Sequence, residues 1–177
     1  MEIIYRALEA HECERIKSIN PARFIKRAWR SVGGIKQWID LNWLDENFPN
    51  GYEAHLAGLQ ATFANGGFAI GAFDGDCMVG FVSVNRESFG IQSKYVLLDQ
   101  LFVDNQYQNR GIGKQLFHQC ATRAKLWKAD KLYICAGSSE DTLAFYYALG
   151  CTAAAEINQQ LYENDKNDMQ LEYSLHN

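Results

Sequence analysis

The sequence predicts an α/β domain in which helices flank a mixed β-sheet. Two apolar segments, FAIGAF and CMVGFVSV, flank Asp74-Gly75-Asp76, an arrangement typical of a β-hairpin. The next apolar run, KYVLLDQLFV, reads as a buried central strand. Residues 112–127 carry apolar side chains at helical spacing, so a helix follows that strand. Hairpins combined with strand–helix–strand crossovers indicate a layered α/β architecture.

The first third of the chain is less regular. EIIYRAL predicts a strand, and EAHECERIKSI predicts a short amphipathic helix that ends at Asn20-Pro21. From Pro21 to Pro49 no periodicity stands out, although Gly33-Gly34 indicates a turn. GYEAHLAGLQATFANGG then predicts a second helix, which Asn65-Gly66-Gly67 ends.

The last third alternates strands and helices. KLYICA predicts a short buried strand, SSEDTLAFYYALG a helix, and MQLEYSL a closing strand. The expected order is therefore strand, helix, helix, three strands, helix, strand, helix and strands. A chain of 177 residues without repeats or flexible linkers is expected to form one domain over residues 1–177.

Composition excludes some classes of protein. The net charge of −4 disfavours nucleic-acid binding, which needs a basic face. No apolar run is long enough to span a membrane, and EIIYRALEA after Met1 lacks the pattern of a secretory signal. Five scattered cysteines show no metal-site or redox spacing, so we expect reduced thiols in a cytoplasmic protein. The histidines show no metal-ligand spacing, His11, His55 and His118 read as helix-surface residues, and no metal is expected.

A glycine-rich loop precedes the helix of residues 112–127. The P-loop pattern needs a glycine where Gln108 stands and a hydroxyl residue where Gln115 stands, so it fails. The dinucleotide fingerprint lacks its third glycine, because Leu116 occupies that position. What remains is Q-x-x-G-x-G, whose backbone N–H groups point at one place near a positive helix end. It predicts a pyrophosphate site; a glycine-rich helix start with only structural meaning is the alternative.

The hairpin, the strand VLLDQLFV, the Q-x-x-G-x-G loop, the strand LYICA and the segment FYYALGC stand in the order found in one family. From about Glu2 to Leu175 the chain resembles the GNAT superfamily of acyl-CoA-dependent N-acetyltransferases, least clearly between Pro21 and Gly67. The resemblance implies a mixed, mostly antiparallel sheet flanked by helices, with two splayed parallel strands that bind the coenzyme. Residues 21–67 then form the acceptor side, and residues 68–155 the coenzyme-binding core.

The resemblance also implies a site for acetyl-CoA. The pantetheine arm pairs with the strand end, and the pyrophosphate lies on the loop. The expected coenzyme-binding residues are Leu101, Phe102, Val103, Gln108, Asn109, Arg110, Gly111, Ile112, Gly113 and Lys114. Ser139 stands where the family often has a coenzyme-binding asparagine, and it is also a good helix N-cap.

Two residues are candidates for catalysis. Tyr146 stands four residues before Gly150, where the family's thiolate-protonating tyrosine falls; packing is its alternative role. Asp99 is a carboxylate within an apolar strand, which is costly unless the group is paired or useful. Strand alternation places it with Leu97, Leu101 and Val103, and it is either the base that takes the amine proton or a structural acceptor at a strand bulge.

The function implied is transfer of an acetyl group from acetyl-CoA to a primary amine of a small molecule or peptide; a non-catalytic acyl-CoA-binding module is the alternative. The resemblance to this family is compatible with a homodimer, although the sequence has no apolar stripe that requires a second subunit. An acceptor pocket for a cationic amine is expected from aromatic and acidic residues that otherwise serve as core and solvated surface. These residues are Trp29, Trp38, Trp43, Phe48, Tyr52, Asp40, Asp45, Glu46 and Glu53.

Overall fold

The computed structural model describes residues 2–176 and contains a seven-stranded mixed sheet beside a two-stranded one. The strands are β1 (Ile3–Ala7), β2 (Arg23–Val32), β3 (Ile35–Asp45), β4 (Phe68–Asp74), β5 (Cys77–Phe89), β6 (Tyr95–Val103), β7 (Lys131–Ala136), β8 (Thr152–Ala153) and β9 (Met169–Ser174). The helices are α1 (Tyr52–Ala64), α2 (Ile112–Leu126), α3 (Glu140–Ala148) and α4 (Gln159–Asn164), with 3-10 helices at Ala10–Ser18 and Asn105–Tyr107.

The large sheet runs in the order β1-β4-β5-β6-β7-β9-β8, and its strand pairs are antiparallel except for β6 with β7. That parallel pairing joins Tyr95–Leu98 to Lys131–Ile134 and goes no further. β6 continues along β5 as far as Val103, whereas the end of β7 stays paired with β9. The predicted mixed, mostly antiparallel sheet with two splayed parallel strands is confirmed.

Helices cover both faces of this sheet. One apolar cluster lies under α2 and α3 and contains fully buried side chains such as Leu116 and Phe117. A second cluster lies under α1 and the first 3-10 helix, where Leu59 and Ile16 pack on Phe81. Helices α1, α2 and α3 each bury apolar side chains against the sheet, which gives the domain its layers.

Residues 23–45 form the β2–β3 hairpin, which the sequence did not predict. Gly33 and Gly34 make its turn with φ of +58° and +82°, as their position suggested. Most of β3 is exposed, so the strand carries no alternation of buried and exposed residues that a sequence pattern would show. The short β8 and α4 were also not predicted.

The hairpin is attached to the start of α3 rather than to the edge of the large sheet. Ala28 forms an isolated bridge with Ser139, and the backbone N–H of Trp29 donates to the carbonyl of Ser138 at 2.9 Å. The guanidinium of Arg27 pairs with the carboxylate of Glu140. These contacts fix the hairpin as a wall beside the β7–α3 connection.

Glu12 connects the first 3-10 helix to β1. Its two carboxylate oxygens accept hydrogen bonds from Arg6 at 2.7 and 2.8 Å, and one of them accepts a third from the backbone N–H of Glu9 at 3.1 Å. The hydrogen bonds from Arg6 are the largest cause that lowers the pKa of Glu12 to about 2. The charged carboxylate therefore stabilises the folded state.

We expect this group to make the protein less stable in acid. A carboxyl whose pKa falls from 4.5 unfolded to about 2 folded contributes stability above pH 4.5 and loses it as the pH approaches 2. Glu12→Gln should lower the melting temperature at pH 7 and flatten its decline below pH 4.5, measured by thermal unfolding. Glu14→Gln, on an exposed side chain of the same segment, is the control. Parallel melting curves for wild type and Glu12→Gln across this range would contradict the assignment.

Candidate active site

The end of β6 has a strand on one side only. Leu101, Phe102 and Val103 pair with Val82, Phe81 and Gly80 of β5, while β7 has already separated from β6 after Leu98. The other edge of this segment therefore offers backbone groups to a ligand, as an exposed sheet edge does. These are the three residues that the family resemblance expects to pair with the pantetheine arm of the coenzyme.

The loop between β6 and α2 is held by its own hydrogen bonds. The Asp104 carboxylate accepts from the backbone N–H groups of Asn20 and Gln106, and the side chain of Gln108 donates to the carbonyl of Val103 at 3.3 Å. The guanidinium of Arg110 lies over the ring of Tyr107. The loop thus has a defined shape directly beyond the open strand edge.

The start of α2 lies open to solvent. Gly111 is its N-cap in the left-handed conformation, with φ of +80°, and no side chain caps the helix. A Cβ at Gly111 would meet nothing within 4 Å. Asn109 also has positive φ, and Lys114 lies exposed in the first turn. Uncapped N–H groups at the positive end of a helix favour an anion there.

Gly113 and Ile112 serve packing in addition to any role in the loop. A Cβ at Gly113 would lie 3.3 Å from the ring of Phe145 and 3.6 Å from Val103, so the missing side chain allows α2, α3 and β6 to meet. The side chain of Ile112 is buried in the core. At these two positions only the backbone faces the loop.

Tyr146 lies in the core between α2 and α3, 7% exposed, with its ring against Phe117 and Phe145. Burial raises the pKa of its phenol, and nearby Cys135 and Asp168 add to the increase. The hydroxyl therefore keeps its proton at physiological pH. Tyr147 is 48% exposed and points elsewhere.

Asp99 occupies a β-bulge. Leu98 pairs with Val84 and Gln100 with Ser83, so Asp99 is an extra residue on β6. The bulge turns its carboxylate toward α1, where a Cβ on Gly58 would lie 3.8 Å from Oδ2. Strand alternation had grouped Asp99 with Leu101 and Val103, which pack on the other face; that grouping is wrong because the bulge breaks the alternation.

The Asp99 carboxylate lies in a recess. Asp99 as a whole residue is exposed to solvent. The protein atoms around its carboxylate nevertheless desolvate that group, which raises its pKa above the usual value. The charge of His55 opposes this increase, as does a hydrogen bond from Gln100. An accessible carboxylate whose charged form is poorly solvated is suited to accept a proton.

His55 is a site residue that the sequence analysis missed, because it was assigned to the helix surface. Its Nδ1 lies 2.8 Å from Oε1 of Gln100, and its Nε2 lies 2.7 Å from the carbonyl oxygen of Pro49. The signal was present: Leu59 and Thr62 are buried, and His55 shares their stripe at spacings of four and seven residues.

Ser139 caps α3. Its hydroxyl accepts from the backbone N–H of Thr142 and donates to the hydroxyl of Thr142 at 2.8 Å. The capping interpretation is confirmed, and the coenzyme contact stays a prediction.

The expected aromatic and acidic residues are divided between the β2–β3 hairpin and the region of α1 with the loop before it. Trp29 and Trp38 contact each other on the hairpin, whereas Phe48 is buried against Phe102 under α1. Trp43 is 55% exposed. Of the acids, Asp45 lies 3.9 Å from Arg23 across the β2–β3 pair.

Residues 2–176 contain neither a cluster suited to a metal ion nor a helix suited to span a membrane. No group of three or more His, Cys, Asp or Glu side chains in that range is arranged to hold a metal ion. No helix there has the length and apolar character needed to cross a membrane.

A family model described as "Acetyltransferase (GNAT) family" matches residues 36–151, more than half of the chain. The match includes the bulge at Asp99, the glycine loop and Tyr146. A comparison with curated protein sequences finds no match.

Solved structures share the whole fold at low sequence identity. Nourseothricin acetyltransferase is 13% identical, with a TM-score of 0.73 and 99% of each chain covered. A putative streptothricin acetyltransferase from Bacillus anthracis, in complex with acetyl coenzyme A, is 15% identical, with a TM-score of 0.70 over 100% of this chain and 99% of that one. The ribosomal-protein-S18-alanine N-acetyltransferase from Escherichia coli is 13% identical, with a TM-score of 0.61 over 98% and 94%.

Proposed function

The chain belongs to the acetyltransferase (GNAT) family, and from that premise we propose that it transfers an acetyl group from acetyl-CoA to a primary amine of a small molecule or peptide. The observation that carries the proposal is the open edge of β6 beside the uncapped start of α2. A strand edge suits an extended amide-containing arm, and a helix start suits a pyrophosphate. In acetyl-CoA an amide-containing pantetheine arm is joined to a pyrophosphate, so one molecule could occupy both places.

The residues at this place fit the coenzyme by their backbone more than by their side chains. Leu101, Phe102 and Val103 would pair with the pantetheine arm. The N–H groups of residues 108–114 would hold the pyrophosphate, with Lys114 adding positive charge at its rim. Ser139 lies at the start of α3, and its hydroxyl would reach the arm only by sharing the hydrogen bonds of the cap.

Transfer requires two proton movements. The amine nitrogen forms a bond to the thioester carbonyl carbon, and the carbon–sulfur bond then breaks. Asp99 would take the proton that the amine loses, and Tyr146 would give its phenolic proton to the departing sulfur. The raised pKa of Asp99 supports its part, because that carboxylate gains proton affinity. Tyr146 is supported by its place on α3 alone, since the raised pKa of its phenol makes it a weaker proton donor.

A module that binds acyl-CoA without catalysis is the second candidate. Ser139, in place of the family's asparagine and already engaged with Thr142, is the observation that favours it. Coenzyme binding without acetyl transfer to any amine in a broad panel would support this candidate over the enzyme.

Coenzyme binding is the first prediction of this proposal. Calorimetric titration with acetyl-CoA should show saturable binding to wild type. Gly111→Trp should weaken it by about tenfold or more, because its side chain would fill the space in front of α2. Gly34→Trp is the matched control: its φ is +82° against +80°, and it also has nothing within 4 Å. Equal binding by both variants would remove the loop from the coenzyme site.

Tyr146→Phe tests the proton donor. We expect kcat to fall by roughly 100-fold, since a general acid contributes on that order, with little change in coenzyme affinity. Tyr147→Phe, on the exposed neighbouring side chain, should keep its kcat. If Tyr146→Phe turns over at the wild-type rate, the tyrosine only packs.

Asp99→Asn tests the base. Because desolvation raises the pKa of Asp99, kcat/KM of wild type should decline toward low pH as that carboxylate is protonated. The variant should lose most activity and also this decline, measured as a pH–rate profile. A variant profile that keeps the wild-type acid limb would assign the proton transfer to another group.

A further inference from the structure

A continuous line of hydrogen-bonding groups leads from the loop before α1 to the Asp99 carboxylate. The carbonyl of Pro49 meets Nε2 of His55, and Nδ1 of His55 meets Oε1 of Gln100. The amide nitrogen of Gln100 lies 3.5 Å from Oδ2 of Asp99. Gln100 is itself buried, so its amide has a fixed surrounding.

The orientation of the Gln100 amide follows from its contacts. Its nitrogen donates to the backbone carbonyl of His55 at 3.1 Å and faces the Asp99 carboxylate, and both of these partners only accept. The amide oxygen is thus directed at Nδ1 of His55. Reversing the amide would set its oxygen against two other oxygens.

The orientation of the Gln100 amide bears on which nitrogens of the His55 ring carry protons. Nδ1 faces an amide oxygen and Nε2 faces a backbone carbonyl, and neither oxygen has a proton to give. Both of these contacts are hydrogen bonds at once only when each ring nitrogen carries a proton, so the doubly protonated ring is the form that fits both acceptors. The rings of Phe48 and Phe102, with centroids 5.1 and 4.9 Å from the ring of His55, enclose it.

We propose that His55 is a positioning residue of the acetyl-transfer site: its imidazolium, held by Pro49 and Gln100, orients the Asp99 carboxylate and supplies positive charge beside it. The inference deepens the proposed function, because the role of Asp99 as base rests on that function. The bulge makes the arrangement necessary. The extra residue on β6 has no register partner on β5, and its carboxylate meets the amide of Gln100, which His55 of α1 holds in turn.

The charged groups around this line are few. The loop before α1 presents a carbonyl and the ring of Phe48 to His55, and β6 presents Gln100, Phe102 and the carboxylate of Asp99. On α1 itself, Glu53 is exposed in the first turn. Asp99 interacts electrostatically with His55 from one side and with the thiol of Cys135 on β7 from the other. His55 is the cation of this set.

The test reads the Asp99 carboxyl directly, by ¹³C NMR titration of its side-chain carbon in the full-length protein. His55→Gln keeps an amide beside Gln100 and removes the charge, so the Asp99 midpoint should move to higher pH than in wild type. His55→Lys returns a positive charge and should bring the midpoint back toward wild type. His11→Gln, at an exposed histidine of the first 3-10 helix, should leave it in place.

A second variant addresses the hydrogen-bonded link and covers the case in which His55→Gln fails to fold. Gln100→Met keeps the approximate volume of the buried side chain and removes its three polar contacts, two with His55 and one with Asp99. We expect the Asp99 midpoint to rise and kcat/KM to fall roughly tenfold more at pH 6 than at pH 8, with coenzyme affinity unchanged. A merely structural role would lower activity equally at all pH values.

The inference is overturned if the Asp99 midpoint in His55→Gln is the same as in wild type. If only Gln100→Met folds, an unchanged midpoint in that variant overturns it. The proposed function fails in a different way, through absence of coenzyme binding or of acetyl transfer by wild type. The NMR midpoint is readable in either case, so the two failures are distinguishable.

Discussion

The structure depends on a parallel strand pairing that stops after four residues. β6 and β7 are joined from Tyr95 to Leu98, and then β6 follows β5 while β7 follows β9. Each strand keeps an antiparallel partner on its outer side, so the separation leaves neither strand unsupported. Beyond Leu98 the inner side of β6 has no strand partner among the described residues, and the loop and the start of α2 follow directly from that edge.

The bulge at Asp99 lies beside the point where the strands separate. An extra residue bends a strand and increases its twist, which helps β6 to leave β7 while it stays paired with β5. The same residue carries a carboxylate that an ordinary strand position would have directed at the opposite helices. One irregularity therefore contributes both to the shape of the cleft and to the direction of its acidic group.

The sequence predicted the parts of the molecule in which burial is periodic. Strands β4 to β7 and helices α1 to α3 have regular apolar patterns, and the loop at Gly111 has a recognisable motif, so these elements and their order were found. The β2–β3 hairpin was missed because β3 is exposed on both faces. The contact of His55 with Gln100 was missed because it joins residues 45 apart, and strand alternation misplaced Asp99 because the bulge shifts the register by one.

The β2–β3 hairpin is attached to the rest of the domain through β2, so β3 is structurally separate from the large sheet. β3 pairs only with β2 among the described strands, and β2 is held at the β7–α3 connection by a backbone bridge and an ion pair. Substitutions at the exposed positions of β3 therefore act on the hairpin first, whereas substitutions at the edge of β6 alter the core itself. The exposed surface of β3 can therefore change in sequence while the edge of β6 and the start of α2 keep their geometry.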